Sequence, residues 1–107
     1  MTDFVFIYIT NPTKKTARKI AKYLLEKRLI ACANMFPISS IYHWKGKIVD
    51  EAEYVLIAKT LEENFKKVKD EVKKIHPYTV PCIIKIRVSS NKEYFKWLKG
   101  ELKKNSS

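Results

Sequence analysis

Four side chains in this sequence have the chemistry of metal ligands: Cys32, His43, His76 and Cys82. Thiolate and imidazole suit copper or zinc, whereas Ca²⁺ and Mg²⁺ require oxygen donors. None of the four stands in a C-x-x-C or H-E-x-x-H spacing. A site made from them must therefore be assembled by the fold, or by several copies of the chain. Each residue also has an ordinary reading. Cys32 and Cys82 lie in apolar, strand-like stretches, where a free buried thiol is the common state. Two cysteines are too few for the disulfide framework of a small secreted domain, which points to the cytoplasm. His43 sits where a hairpin tip is expected, and a surface histidine there needs no ligand. His76 ends a helical pattern just before Pro77, where an imidazolium is favoured by the helix dipole. Met35 has a thioether but occupies an apolar strand position, which is core chemistry. No nucleophile, base and orienting third group can be assigned, so binding rather than catalysis is expected.

The elements that must position these groups are legible from periodicity. Phe4 to Thr10 is apolar at nearly every position, as in a central strand buried on both faces. Asn11-Pro12-Thr13 breaks it, and Thr13 is placed to cap a helix. Ala17, Ile20, Ala21, Leu24 and Leu25 supply that helix with its apolar stripe, and Lys27 and Arg28 close it. Ile30 to Thr60 then reads as one long β-hairpin turning at Trp44-Lys45-Gly46-Lys47. Arms of about 14 residues at roughly 3.3 Å each reach about 45 Å, whereas a compact domain of this length is about 35 Å across. Either the hairpin bends sharply, with Pro37 the natural place, or its outer part is packed by neighbouring subunits. Tyr42 and Trp44 read as interface anchors in that outer part.

A second helical stripe follows in Leu61, Phe65, Val68, Val72 and Ile75, ending at His76-Pro77. Glu62 with Lys66 and Glu63 with Lys67 are spaced as i,i+4 pairs, each contributing about 0.3 kcal/mol. Cys82 to Val88 is the last strand, with Ile84, Ile86 and Val88 on one parity and Lys85 and Arg87 on the other. Tyr94, Trp97, Leu98 and Leu102 mark a terminal helix, with residues 103–107 read as a frayed tail. Lys59 ends an apolar strand, and a partly buried ammonium needs a charge partner or a lowered pKa. Asp50, Glu51 and Glu53 of a neighbouring hairpin are its expected partners.

The order strand, helix, strand, strand, helix, strand and terminal helix makes 1–107 a single α+β domain, a ferredoxin-like sandwich with an extended central hairpin. With the long helices on one sheet face, the other is too apolar to leave in water. A second subunit is the economical cover. No apolar run reaches the roughly 20 residues of a membrane span, and the start lacks the plan of a signal peptide. The formal net charge of +11 raises the question of nucleic acid. Only Arg18, Arg28 and Arg87 are available for bidentate base contacts. The lysines spread along the chain, and residues 54–60 lack the aromatic pattern of an RNA-recognition strand. General anion attraction is therefore expected, without a sequence-reading nucleic-acid site.

Four stretches together carry a more specific resemblance: Leu-Leu-Glu-Lys-Arg-Leu-Ile-Ala-Cys-Ala-Asn-Met (24–35), Ser-Ile-Tyr-His-Trp-Lys-Gly-Lys-Ile (40–48), Ile-Ala-Lys-Thr (57–60) and His-Pro-Tyr-Thr-Val-Pro (76–81). In this order they resemble the CutA family of divalent-cation tolerance proteins, as does the Tyr94 to Leu98 helix, and the resemblance spans almost the whole chain. It implies a ferredoxin-like subunit in a tight homotrimer, its long hairpins woven between neighbours, with binding of divalent metals, notably copper. It also implies that Cys32, Trp44, Lys59, His76 and Tyr78 line clefts between subunits. The chain departs from the family pattern at Lys45, Thr79 and Cys82, where the family commonly has glutamate. Loss of three carboxylates weakens a hard-cation site, and Cys82 in their place favours a soft or borderline metal. The competing expectation is a structural or signalling trimer that binds a protein or small molecule, with metal binding incidental.

Overall fold

The computed structural model describes residues 2–103. The chain forms β1 (Asp3–Asn11), α1 (Lys14–Glu26), β2 (Cys32–Trp44), β3 (Lys47–Thr60), α2 (Phe65–Ile75), β4 (Ile83–Ser89) and α3 (Lys92–Lys103), with a 3₁₀ turn, Glu62–Asn64, leading into α2. The four strands make one antiparallel sheet in the order β2-β3-β1-β4, which is the ferredoxin-like plan expected from the element order. The terminal helix extends through Lys103; residues 104–107 of the expected frayed tail lie outside the described residues.

Local chemistry sets the boundaries. The Thr13 hydroxyl accepts from the Thr16 N–H at 3.1 Å, capping α1. At its other end Arg28 takes a positive φ of 58°. The Arg28 N–H donates to Leu25 and the Leu29 N–H to Leu24, the crossed pair of bonds that satisfies a helix's last carbonyls. At the hairpin tip Lys45 and Gly46 have φ of 51° and 78°. Two consecutive positive φ values define a type I′ turn, whose twist matches the strands it joins.

Val5, Ile7 and Ile9 of β1 and Leu56 and Ala58 of β3 face α1 and α2, meeting Ala17, Ile20, Leu24, Val68 and Val72 in the core. The opposite parity carries Phe4, Phe6 and Tyr8, paired across to Val88, Ile86 and Ile84 on β4. Here the structure refines the expectation of an entirely open face. α3 crosses the Phe4 end, where the Phe4 ring meets those of Tyr94 and Phe95 at 6.2 and 6.4 Å, and Leu98 is fully buried. Beyond it Ile84, Ile86 and Phe36 remain exposed. The charged parity of β4 lies on the helix side. Lys85 and Arg87 reach Glu62 there at 3.2 and 3.1 Å. Glu62 is thus committed to the sheet rather than to Lys66, which pairs with Asp70 instead.

The hairpin does not bend at Pro37 to shorten itself. Its register runs unbroken from Cys32↔Lys59 through Pro37↔Tyr54 to Trp44↔Lys47, and the molecule extends 46 Å along its longest axis against 26 and 21 Å across. Proline is tolerated because β2 is an edge strand. Pairing with β1 stops at Asn11↔Tyr54, so among the described residues β3 before Tyr54 has only β2 beside it. The outer hairpin is therefore a two-stranded ribbon, a structure marginal in water on its own.

Candidate functional site

The inner end of the ribbon meets the loop that follows α2. Pro77 ends that helix and holds His76 extended, at φ −76° and ψ 135°. The His76 N–H still donates to Val72 O at 2.8 Å, while its ring turns inward and is 9% exposed. The Tyr78 N–H donates to Nδ1 at 3.1 Å, and Nε2 lies 2.9 Å from Thr10 O. Nδ1 accepts and Nε2–H donates, so the neutral imidazole satisfies both neighbours. Burial lowers the His76 pKa, against the opposing pull of the Thr10 carbonyl and Glu53.

The Tyr78 ring stands edge-on to His76 at 4.8 Å, and its hydroxyl donates to Glu53 Oε2 at 2.6 Å. Glu53 is only 6% exposed, and a carboxylate so placed requires such a donor. Burial, reinforced by this bond, raises the phenol pKa of Tyr78. One step outward, the Tyr42 hydroxyl donates to Glu51. That bond first, then burial, pushes Tyr42 up to about 12. Two carboxylates and two protonated phenols thus sit side by side on one face of the hairpin.

A second cluster occupies the opposite end of the sheet. Cys32 is the cross-strand neighbour of Lys59, which in turn pairs with Phe6. The Lys59 ammonium lies 5.7 Å from the Phe6 ring centre and 5.3 Å from that of Tyr94. Among the described residues, aromatic faces rather than a carboxylate hold this cation. Glu51 and Glu53, two of its expected partners, are committed to tyrosines of their own chain. The Tyr94 hydroxyl is buried without a hydrogen-bond partner among the described residues. Burial first, and then the neighbouring Cys32 thiol, push it up to about 12. Cys32 approaches that hydroxyl without hydrogen-bond geometry.

The four sequence-predicted ligands are not brought together within a subunit. Cys32 stands beside Lys59, His76 and Cys82 flank the α2–β4 loop, and His43 is exposed at the hairpin tip beside Trp44. Both cysteines are free and half-buried. No group of three or more His, Cys, Asp or Glu side chains able to hold a metal forms among the described residues. Cys32, Cys82 and His43 have donor atoms to offer a copper ion, whereas ligation by His76 requires it to release Thr10 or Tyr78. Glu53 escaped the sequence-based ligand list. Its signal was a carboxylate on the same strand parity as Val55 and Ile57. Tyr94 had no comparable signal, since an amphipathic tyrosine in a helical stripe is ordinary.

Comparisons with known proteins agree along the chain. The family model described as CutA1 divalent ion tolerance protein matches residues 5–101. The divalent-cation tolerance protein CutA of Archaeoglobus fulgidus is 50% identical over 94 residues, covering 87% of this chain and 92% of that one. Its counterpart from Pyrococcus horikoshii is 44% identical over 101 residues, covering 94% and 99%. The solved structure of the periplasmic divalent cation tolerance protein CutA from Archaeoglobus fulgidus superposes with a TM-score of 0.89 at 47% identity, covering 92% of this chain and 97% of that one.

Proposed function

The chain belongs to the CutA1 divalent ion tolerance family, and from that premise we propose that it works as a homotrimer binding a soft or borderline divalent metal, copper foremost. The observation that carries the reading is the uncovered ribbon. Ile41 is 70% and Ile48 69% exposed, with Trp44 and Tyr42 exposed beside them, on a paired structure too slender to cover itself. Neighbouring subunits supply the cover, and the same packing supplies the missing ligands. Cys32 and Cys82 are the principal metal donors, joined by His43, with His76 recruited only at the expense of its own bonds. Sulfur and imidazole donors select copper or zinc over Ca²⁺ and Mg²⁺. Tyr42, Trp44, Lys59 and Tyr78 line the clefts rather than ligate. Two free thiols support a working place in the reducing cytoplasm, and the role in this reading is binding without catalysis.

Copper titration of the metal-stripped protein, followed by mass measurement of the intact assembly, tests this. Three chains should retain copper in proportion to subunits, and Cys32→Ala or Cys82→Ala should lose it. Absence of submillimolar binding overturns the metal reading. One observation favours a second reading, a structural or signalling trimer with incidental metal binding: no three-ligand group forms among the described residues of one subunit. Under that reading, the variant lacking both cysteines keeps its mass and its partner.

A further inference from the structure

We infer that the outward face of α1 is a docking surface for the phosphate backbone of double-stranded nucleic acid, bound without regard to sequence. The basic charge looks scattered along the chain, but folding sorts it. α1 carries Lys14, Lys15, Arg18, Lys19 and Lys22 against Glu26 alone, and α2 carries five lysines against Asp70 and Glu71. The β2–β3 hairpin carries Lys45, Lys47 and Lys59 against Asp50, Glu51 and Glu53, and is neutral. Seven of the eleven surplus positive charges therefore belong to the two helices on one side of the sheet.

The two helices differ in what holds their cations. On α2, Lys66 is paired with Asp70 and Lys74 with Glu71. The five cations of α1 are all exposed, and none enters an ion pair or hydrogen bond among the described residues. They form two adjacent rows, 14-18-22 and 15-19, with a step of about 6 Å along the helix axis. Such a row presents point charges to successive anionic groups, and a duplex carries one phosphate per about 1.7 Å of its axis. Four of the five are lysines, which contact phosphate as point charges rather than reading base edges.

The composition of the stripe separates this partner from others. Its exposed positions between Lys14 and Lys22 hold no aromatic ring on which an unpaired base would stack. They hold no apolar side chain to enter a bilayer either, because Ala17, Ile20 and Ala21 are spent on the core. The stripe also lies on the opposite side of the sheet from the exposed Ile84 and Ile86, so trimer formation through that face leaves it free.

Fluorescence anisotropy with the full chain and a mixed-sequence duplex of about 30 base pairs, from about 50 to about 200 mM salt, reads this directly. With four or five phosphates engaged, log affinity should fall against log salt with a slope between about −3 and −5. The variant K15Q/K19Q/K22Q should lose about 3 from that slope and bind roughly tenfold more weakly or worse at the lowest salt. The control K47Q/K92Q/K96Q removes the same charge elsewhere and should keep the slope. Equal losses in both variants, with melting temperatures unchanged, overturn the assignment in favour of net charge alone. Absence of duplex binding at the lowest salt also overturns it. So does tighter binding to a single strand of equal length, to inorganic polyphosphate, or to vesicles containing phosphatidylserine.

Discussion

The inner and outer halves of the β2–β3 hairpin share one unbroken register and live in different surroundings. The inner half, from Tyr54 to Thr60, lies between β2 and β1 and packs beneath α1 and α2, with Val55, Leu56, Ala58 and Thr60 buried. The outer half, from Lys47 to Ala52, has β2 on one side and, among the described residues, no strand on the other. The backbone chemistry is the same in both. What differs is that β1 ends at Asn11, and the third strand and the helices end with it. Strand geometry is therefore inexpensive to continue, and burial is what must come from elsewhere. Glu53 marks the border, the last position at which the subunit's own loop, through Tyr78, can satisfy a buried group.

The sharpest break of this comparison is Leu56→Ala against Ile48→Ser. The first removes a fully buried side chain and should cost about 2–5 kcal/mol in denaturant unfolding. The second should leave the near-ultraviolet spectrum of the core intact while reducing the sedimenting mass from the three chains of the proposed trimer to one. Equal effects on core spectrum and mass would erase the distinction between the halves. At the border, Tyr78→Phe strands the buried Glu53 carboxylate and should cost about 1–3 kcal/mol, read as a shifted urea midpoint.

The pH dependence comes next. The His76 pKa is lower in the folded chain than its ordinary 6.5, chiefly through burial. The unfolded chain therefore binds the proton more readily, and stability rises with pH through this window. The contribution is complete above about 6.5 and is lost as pH falls toward the lowered folded value. Melting temperature should drop from pH 7.5 toward pH 5, and His76→Gln should flatten the profile. The smallest effect expected is that of Arg28→Gly. It relieves a non-glycine residue at positive φ but gives up the bonds to Glu101 at 3.1 and 3.3 Å. The opposing contributions should leave the unfolding midpoint within about 1 kcal/mol of the parent.

The regular elements were legible because their signals are local. The stripes Ala17-Ile20-Ala21-Leu24 and Val68-Val72 identify their helices, and Gly46 identifies the turn. The turn type was not legible, because only one of its two positive φ values falls on glycine; Lys45 adopts the other under the twist of the paired strands. α3 was visible as a helix but not as the cover of the second face, since periodicity says which side of a helix is apolar and not what it lies on. Glu62 was assigned to its own helix, yet it stands in the 3₁₀ turn, where Lys85 and Arg87 of β4 reach it. The bond between Glu53 and Tyr78 spans 25 positions, and no spacing rule connects a strand residue to a loop that the topology later brings home. The candidate ligands were identified by type alone, and their separation became evident only once the sheet had an order.

The unbroken register also orders events in time. The turn at Lys45-Gly46 brings sequence neighbours together, so the longest ladder in the molecule can zip from its tip on the microsecond scale of hairpin formation. The β1–β4 pairing must wait for ends some eighty residues apart to meet. The ribbon is thus among the first structures able to form and, in the proposed trimer, the last to be covered, because its cover there is another chain that must itself have folded. During that interval its unpaired edge is exposed to wrong partners, and Lys45, Lys47 and Asp50 supply the charges that keep such edges apart until the right one arrives.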